Sequence, residues 1–142
     1  MKKQNYSNHI RLHPVWHFVV VILLLALLGG SITHLLNAGE DNRYSAALLL
    51  LISVIFIFFY WYTRAFALRA QDRAIRAEER LRHYLLTGQP MDPQLGISQI
   101  IALRFASDEE FPVLAKRAVG ENLSQKAIKK SIKNWKADHY RV

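Results

Sequence analysis

The chain has 142 residues, of which 51% are hydrophobic, and nineteen Lys or Arg against eleven Asp or Glu give a net charge of +8. That length suits one ordinary domain, yet the apolar residues are gathered into two uncharged runs, "FVVVILLLALL" at 18–28 and "AALLLLISVIFIFF" at 46–59, which argues against a single globular core. There is no cysteine, which excludes disulfides, a thiolate nucleophile and a cysteine metal site.

The N-terminal arm, residues 1–14, carries Lys2, Lys3 and Arg11. Just beyond them "HIRLHPVWH" sets His9, His13 and His17 at i, i+4 and i+8. On one continuous helix these would share a face, as metal-binding imidazoles can. Pro14 removes a backbone donor and disfavours helix at His13, and the arm holds no Asp or Glu. The arm therefore reads as an interfacial segment with amphipathic side chains at headgroup depth.

A helix crossing ~30 Å of hydrocarbon needs about 20 mostly apolar residues. Residues 15–36 meet that requirement as a first transmembrane helix, with Ala26-x-x-x-Gly30 as a small-residue packing surface. His34 falls near its outer end, within reach of the headgroups. A cleaved signal is the other reading of this run, but the run is long, lacks a small-x-small site after it and is soon followed by a second apolar segment. Residues 37–43 then form a short outer loop, which fits a tight helical hairpin and leaves no room for an outer domain.

Residues 44–63 make the second transmembrane helix. At about −0.3 to −0.6 kcal/mol for each Leu, Ile, Val or Phe, its central run inserts with roughly −3 to −7 kcal/mol. Two such helices buried in a soluble protein would need more cover than the rest of the chain supplies. Lys and Arg divide as three in the arm, one in the connection and fifteen over residues 64–142. The positive-inside rule thus puts both termini in the cytoplasm. An interface belt of Trp16, Tyr60, Trp61 and Tyr62 agrees with that topology.

Residues 64–88 read as a cytoplasmic stalk continuing the second helix, stopped by Thr87-Gly88 and Pro90. Ala67, Ala70, Ala74, Ala77, Leu81 and Tyr84 recur three and four apart, a heptad seam predicted to pack on the chain's own C-terminal module or on a second copy. Arg69, Arg73, Arg76 and Arg80 form a stripe about 100° round the helix. Near anionic lipid each arginine gains about 1 kcal/mol. Asp72–Arg76, Glu78–Arg82 and Glu79–His83 are spaced as i,i+4 pairs.

Residues 89–142 hold three short helical segments. Ser98 is placed to cap "QIIALRFA", and Ser107 with Asp108, Glu109 and Glu110 forms a capping box before "FPVLAKRAVGEN". Ser124 opens the last helix, with Ile128, Ile132 and Trp135 on one face and Lys126, Lys129, Lys130, Lys133 and Lys136 on the other. A module of that size is marginal alone, so packing on the stalk is expected. Acids at a helix start read as caps, and no glycine-rich phosphate loop, G-x-S-x-G or H-E-x-x-H occurs. No catalytic, cofactor or metal site is expected. Nucleic acid is disfavoured as a partner because Asp72, Glu78 and Glu79 interleave with the stalk arginines. The lysine face suits an anionic membrane surface.

Together "KKQNYSNHIR", "AQDRAIRAEERLRHYLLTG", "IIALRFASDEEFPVLAKRA" and "IKNWKADHYRV" resemble a family of small bacterial membrane proteins known only as a domain of unknown function. Some of its members carry the label ABC transporter permease. The resemblance implies a bacterial inner-membrane protein with two spans and no activity. The permease label finds no support, because two spans are too few for a pore in one copy and no nucleotide-binding motif is present. The sequence thus predicts an all-α protein, a two-helix transmembrane hairpin with a stalk and a C-terminal helical module. Its predicted role is non-enzymatic: the module is presented to anionic inner-leaflet lipid, a protein partner or a second copy. The alternative is an accessory subunit of a transporter or other membrane complex.

Overall fold

The computed structural model describes residues 4–9 and 12–138. It is helical: a π-helical turn, Val15–Val20, runs into α1, Val21–Asn37, followed by α2, Glu40–Thr87, α3, Ile97–Leu103, α4, Phe111–Gly120, and α5, Gln125–Ser131. Among the described residues the extended pairing amounts to one isolated antiparallel bridge, Ala106 with Trp135. The chain divides into two compact units, Leu12–Ala67, and Met1–Arg11 with Leu68–Val142.

In the first unit Pro14 takes helical angles, φ −57° and ψ −44°, and the helix begins at the next residue. At that end proline's missing N–H leaves no bond unmade. The His17 N–H donates to the His13 carbonyl at 2.9 Å, and the His17 ring accepts the His13 N–H at 3.0 Å. The His17 imidazole is therefore engaged with local backbone. The connection between α1 and α2 is only Ala38 and Gly39, not the seven-residue loop expected over 37–43. Glu40 and Asp41 already form the first turn of α2, where the helix dipole favours acids.

Residues 15–37 and α2 are each long and apolar enough to cross a membrane, and in their most apolar windows only 6% and 11% of the residues are buried. Where they meet, the hydroxyls of Ser31 and Ser53, both buried, lie 3.2 Å apart. Trp16 stacks on Tyr60 at 4.8 Å, and the Tyr60 hydroxyl donates to the Trp16 carbonyl. Ala46 is fully buried there. Ala26 and Gly30, predicted to pack, are exposed. The covered positions of this stretch, Val21, Leu24, Leu28, Ser31 and Leu35, repeat three and four apart. Ala26 stands about 200° round the helix from both Leu24 and Leu28.

In the second unit α2 ends as its sequence predicts: Gly88 takes φ +71° and its N–H bonds the Tyr84 carbonyl at 2.8 Å. Only glycine adopts that left-handed angle without strain. The core beyond it is built on Ile100, Leu103, Phe105, Phe111 and Ile128, all with no exposed surface. The cap of α3 is not Ser98, which is exposed, but Gly96. The Gln99 side chain accepts the Gly96 N–H, and its amide donates to the carbonyls of Ala118 and Leu123. One side chain thus both finishes α3 and ties it to the end of α4. Ser124 does cap α5, accepting the Ala127 N–H at 3.2 Å.

Two expectations fail in this unit for a shared reason. Ser107 makes no side-chain cap, and α5 stops at Ser131, so Lys133 and Lys136 lie beyond the helix and the five lysines share no helical face. Glu110 is turned away from α4 to accept the Lys133 and Asn134 N–H groups. The Ser107 N–H donates to the Asn134 carbonyl and the Lys136 N–H to the Phe105 carbonyl, which draws the segment out straight. Trp135 then stacks on Phe105 at 4.7 Å. Burying an aromatic against the core outweighs local helix propensity, which is a weak preference.

Phe111→Ala, which empties a fully buried site, is expected to cost about 3–5 kcal/mol. Limited proteolysis of the detergent-solubilised chain should then open the module at least tenfold faster, with Phe111→Leu intermediate.

Candidate functional site

The sequence singles out the stalk's alanines and arginines, but its contacts with the module are made by another face. Ile75 and Glu79 are buried on α2, and Arg82 is largely covered. They stand four and three residues apart and so share one side of the helix. Arg82 uses its whole guanidinium. Nε donates to Asp108 at 2.7 Å, one terminal nitrogen to Glu79 at 3.0 Å, and the other to the Ala106 carbonyl at 2.7 Å. Its plane lies 4.4 Å over the Phe111 ring. Ala70, Ala74 and Ala77, predicted to pack on the module or on a second copy, are exposed, with Ala74 bordering an open groove beside Lys136, Ala137 and Asp138. An Ile, a carboxylate and an arginine at that spacing offer a larger apolar and polar surface than alanine. Arg82 pairs with Glu79 at i,i+3 rather than with Glu78 at i,i+4.

This arrangement sets the acidities. Burial raises the Glu79 carboxyl above its ordinary value, outweighing the hydrogen bond and charge of Arg82. Asp108, in the open, is lowered by its hydrogen bond to Arg82 and by that charge. Arg104, buried, lies with Nε 3.3 Å from Asp138 and its guanidinium 4.7 Å from the Phe105 ring centre.

A second contact has no precedent in the sequence reading: the N-terminal arm docks on the module. The Gln4 side-chain oxygen accepts the Asp138 N–H at 2.8 Å and the Trp135 indole N–H at 3.4 Å, and its amide donates to the Asp138 carbonyl. His9 sits beside Trp135 and Phe105, with ring centres 5.6 and 5.8 Å away. Its Nε2 accepts from the Lys129 ammonium at 3.2 Å, and Nδ1 donates to the Tyr6 carbonyl at 2.6 Å. Residues placed at headgroup depth by sequence thus belong to a protein contact. An open groove of about 460 Å³ runs here between Gln4, Asn5, Asp108, Lys133 and Trp135.

Arg69, Arg73, Arg76 and Arg80 are all exposed. Lys129 is half-buried against His9 and Phe105, while Lys130, Lys133 and Lys136 are exposed, with Lys136 3.9 Å from Asp108. Of the aromatic belt, Trp16 and Tyr60 face each other, and Trp61 and Tyr62 are exposed. Among the described residues no three of His, Cys, Asp and Glu gather as a metal site. The model of DUF6526, a family of unknown function, matches residues 1–142. No curated protein and no solved structure matches the chain.

The raised Glu79 carboxyl has a signed consequence. Between its unfolded value near 4.5 and its higher folded value the native state binds more protons, so stability falls as pH rises across that interval. Asp108, lowered from 3.8, acts oppositely, and its contribution is lost as pH falls through its folded value. Glu79→Gln is expected to abolish the loss of module stability on raising pH just above 4.5 and to leave the acid limb in place, read by pH-dependent thermal melts of the solubilised chain.

Proposed function

The chain belongs to this family of unknown function, and from that premise, which brings no activity with it, we propose a non-enzymatic, two-span protein of a bacterial inner membrane. It presents its basic module and stalk to the anionic lipid surface, or to a protein partner, on the cytoplasmic side. The observation that carries the reading is the docking of Gln4 and His9 on Trp135, Asp138 and Lys129. The apolar segment Leu12–Ala67 leaves from, and returns to, one folded unit. A chain that begins and ends on one side of a bilayer crosses it an even number of times, and two helices of sufficient length lie between.

The exposed side chains of that segment support the bilayer as their solvent. Leu23, Phe58 and Phe59 are each about 60% exposed, far more apolar surface than a soluble protein leaves uncovered. The connection Ala38–Gly39 holds the turn of a helical hairpin, and Ser31 with Ser53 supplies the polar contact between its arms. Such a pair averages about 0.6 kcal/mol in lipid. Eighteen of nineteen Lys and Arg lie in or beyond the two ends, and only Arg43 follows the connection, which favours cytoplasmic termini. The acids of the module serve structure: Glu110 holds two backbone amides, while Glu79 and Asp108 hold Arg82. That use supports a presenting role rather than a catalytic one.

The chain has no cysteine, so single thiols report topology cleanly. Asp41→Cys in intact spheroplasts should react with an impermeant maleimide, and Glu121→Cys should react only after the membrane is opened. Both variants should stay in the membrane through alkaline carbonate. Labelling of residue 121 from outside, or release by carbonate, would overturn the reading.

A further inference from the structure

We infer that two copies of this chain pair through the stalk portion of α2, in parallel, along the exposed strip that carries Ala70, Ala77, Leu81 and Tyr84. The inference rests on the membrane reading, since two copies in one bilayer share an orientation and can pair only in parallel.

The geometry comes from the heptad that begins at Ala67. Taking Ala67 as position a makes Ala70, Ala74, Ala77, Leu81 and Tyr84 successive d and a positions. On that register Ile75 and Arg82 are b and Glu79 is f, the positions that face away from a seam in a coiled coil. The module covers b and f. Apart from the half-buried Ala67, the a and d positions are exposed, with Leu81 at 59% and Tyr84 at 54%. The neighbouring Leu85, an e position, is 74% exposed. The module packs on Ile75, Glu79 and Arg82, Ala74 and Glu78 border an open groove beside its Lys136 and Asp138, and Ala70, Ala77, Leu81 and Tyr84 remain exposed. Small residues over the first turns let two backbones approach closely, and Leu81 and Tyr84 supply the larger apolar surface at the far end.

The charges select the partner. In a parallel pair, a g residue meets the e residue five positions further along the other helix. Arg73 is g and Glu78 is e, and both are exposed. A two-fold pair therefore brings Arg73 of each copy to Glu78 of the other, twice. Arg69 and Arg76 fall at c, outside the seam, which keeps like charges apart. A surface that complements itself in this way fits a closed two-fold dimer.

The test uses the full chain in native membranes, with single cysteines oxidised by copper phenanthroline. Ala77→Cys should form a disulfide-linked dimer at least fivefold faster than Arg76→Cys, its neighbour on the outward c position. Adding Arg73→Glu to Ala77→Cys should slow crosslinking severalfold, and adding Glu78→Arg as well should restore it. Equal rates at 76 and 77 would mean random collision and would overturn the pairing. Slow crosslinking at 77, or failure of the charge exchange to restore it, would overturn it too. Carbonate resistance of the same variants, measured in parallel, keeps the membrane reading separate: chains that stay in the membrane but do not crosslink at 77 disprove only the dimer.

Discussion

The account depends on a contact made by one glutamine near the start of the chain. Gln4 takes the backbone of Asp138 with both ends of its amide, while His9, five residues on, lies between Trp135 and Lys129. Contacts between residues 120 and 131 positions apart close the chain on itself. Between the two contacting segments lies a second compact unit, Leu12–Ala67. This apolar unit holds two helices long and apolar enough to cross a membrane, and in the proposed reading both ends of that unit stay on one side of the bilayer.

The module is small, and its stability is borrowed from α2. Arg82 is the main point of attachment. Its planar guanidinium satisfies a half-exposed carboxylate, a largely buried one and a backbone carbonyl, and still covers an aromatic ring. Lysine could hold one of those partners at a time, because a rotating ammonium lacks the fixed fork. The raised Glu79 carboxyl shows that this attachment is not free of strain on charge: burial works against the ionised form, and Arg82 offsets only part of that effect. Of the six stalk arginines, Arg82 builds the fold, Arg69, Arg73, Arg76 and Arg80 stay exposed, and Arg64 is half-buried.

Much of this could be read from the residues. The two apolar runs, the stop at Thr87-Gly88, the cap at Ser124 and the attachment of the module to the stalk rest on local chemistry or simple periodicity, and the structure has them. The stalk face that carries the module, Ile75, Glu79 and Arg82, is masked in the sequence by the regular heptad spacing of the alanines. An isoleucine standing alone in a polar stretch was the available signal. The last helix was drawn too long because its lysines and apolar residues fit a helical wheel. Its ending is decided by Glu110, Phe105 and Trp135, which come from distant parts of the sequence. Ser31 and Ser53 lie in apolar runs far apart in sequence, and their pairing emerges only where the two helices meet. Gln4 and His9 carried no local signal at all, since a docking arm is specified by the surface it meets.

The central claim is that the arm stays on the module while the apolar segment lies in a bilayer. Spin labels at Ser7→Cys and Lys130→Cys, both exposed positions, one on the arm and one on α5, read it directly by double electron–electron resonance in proteoliposomes diluted with unlabelled protein. The account predicts one short, narrow distance, broadened when Gln4→Ala removes the amide contact. A broad and long distribution in the otherwise unaltered protein would contradict it.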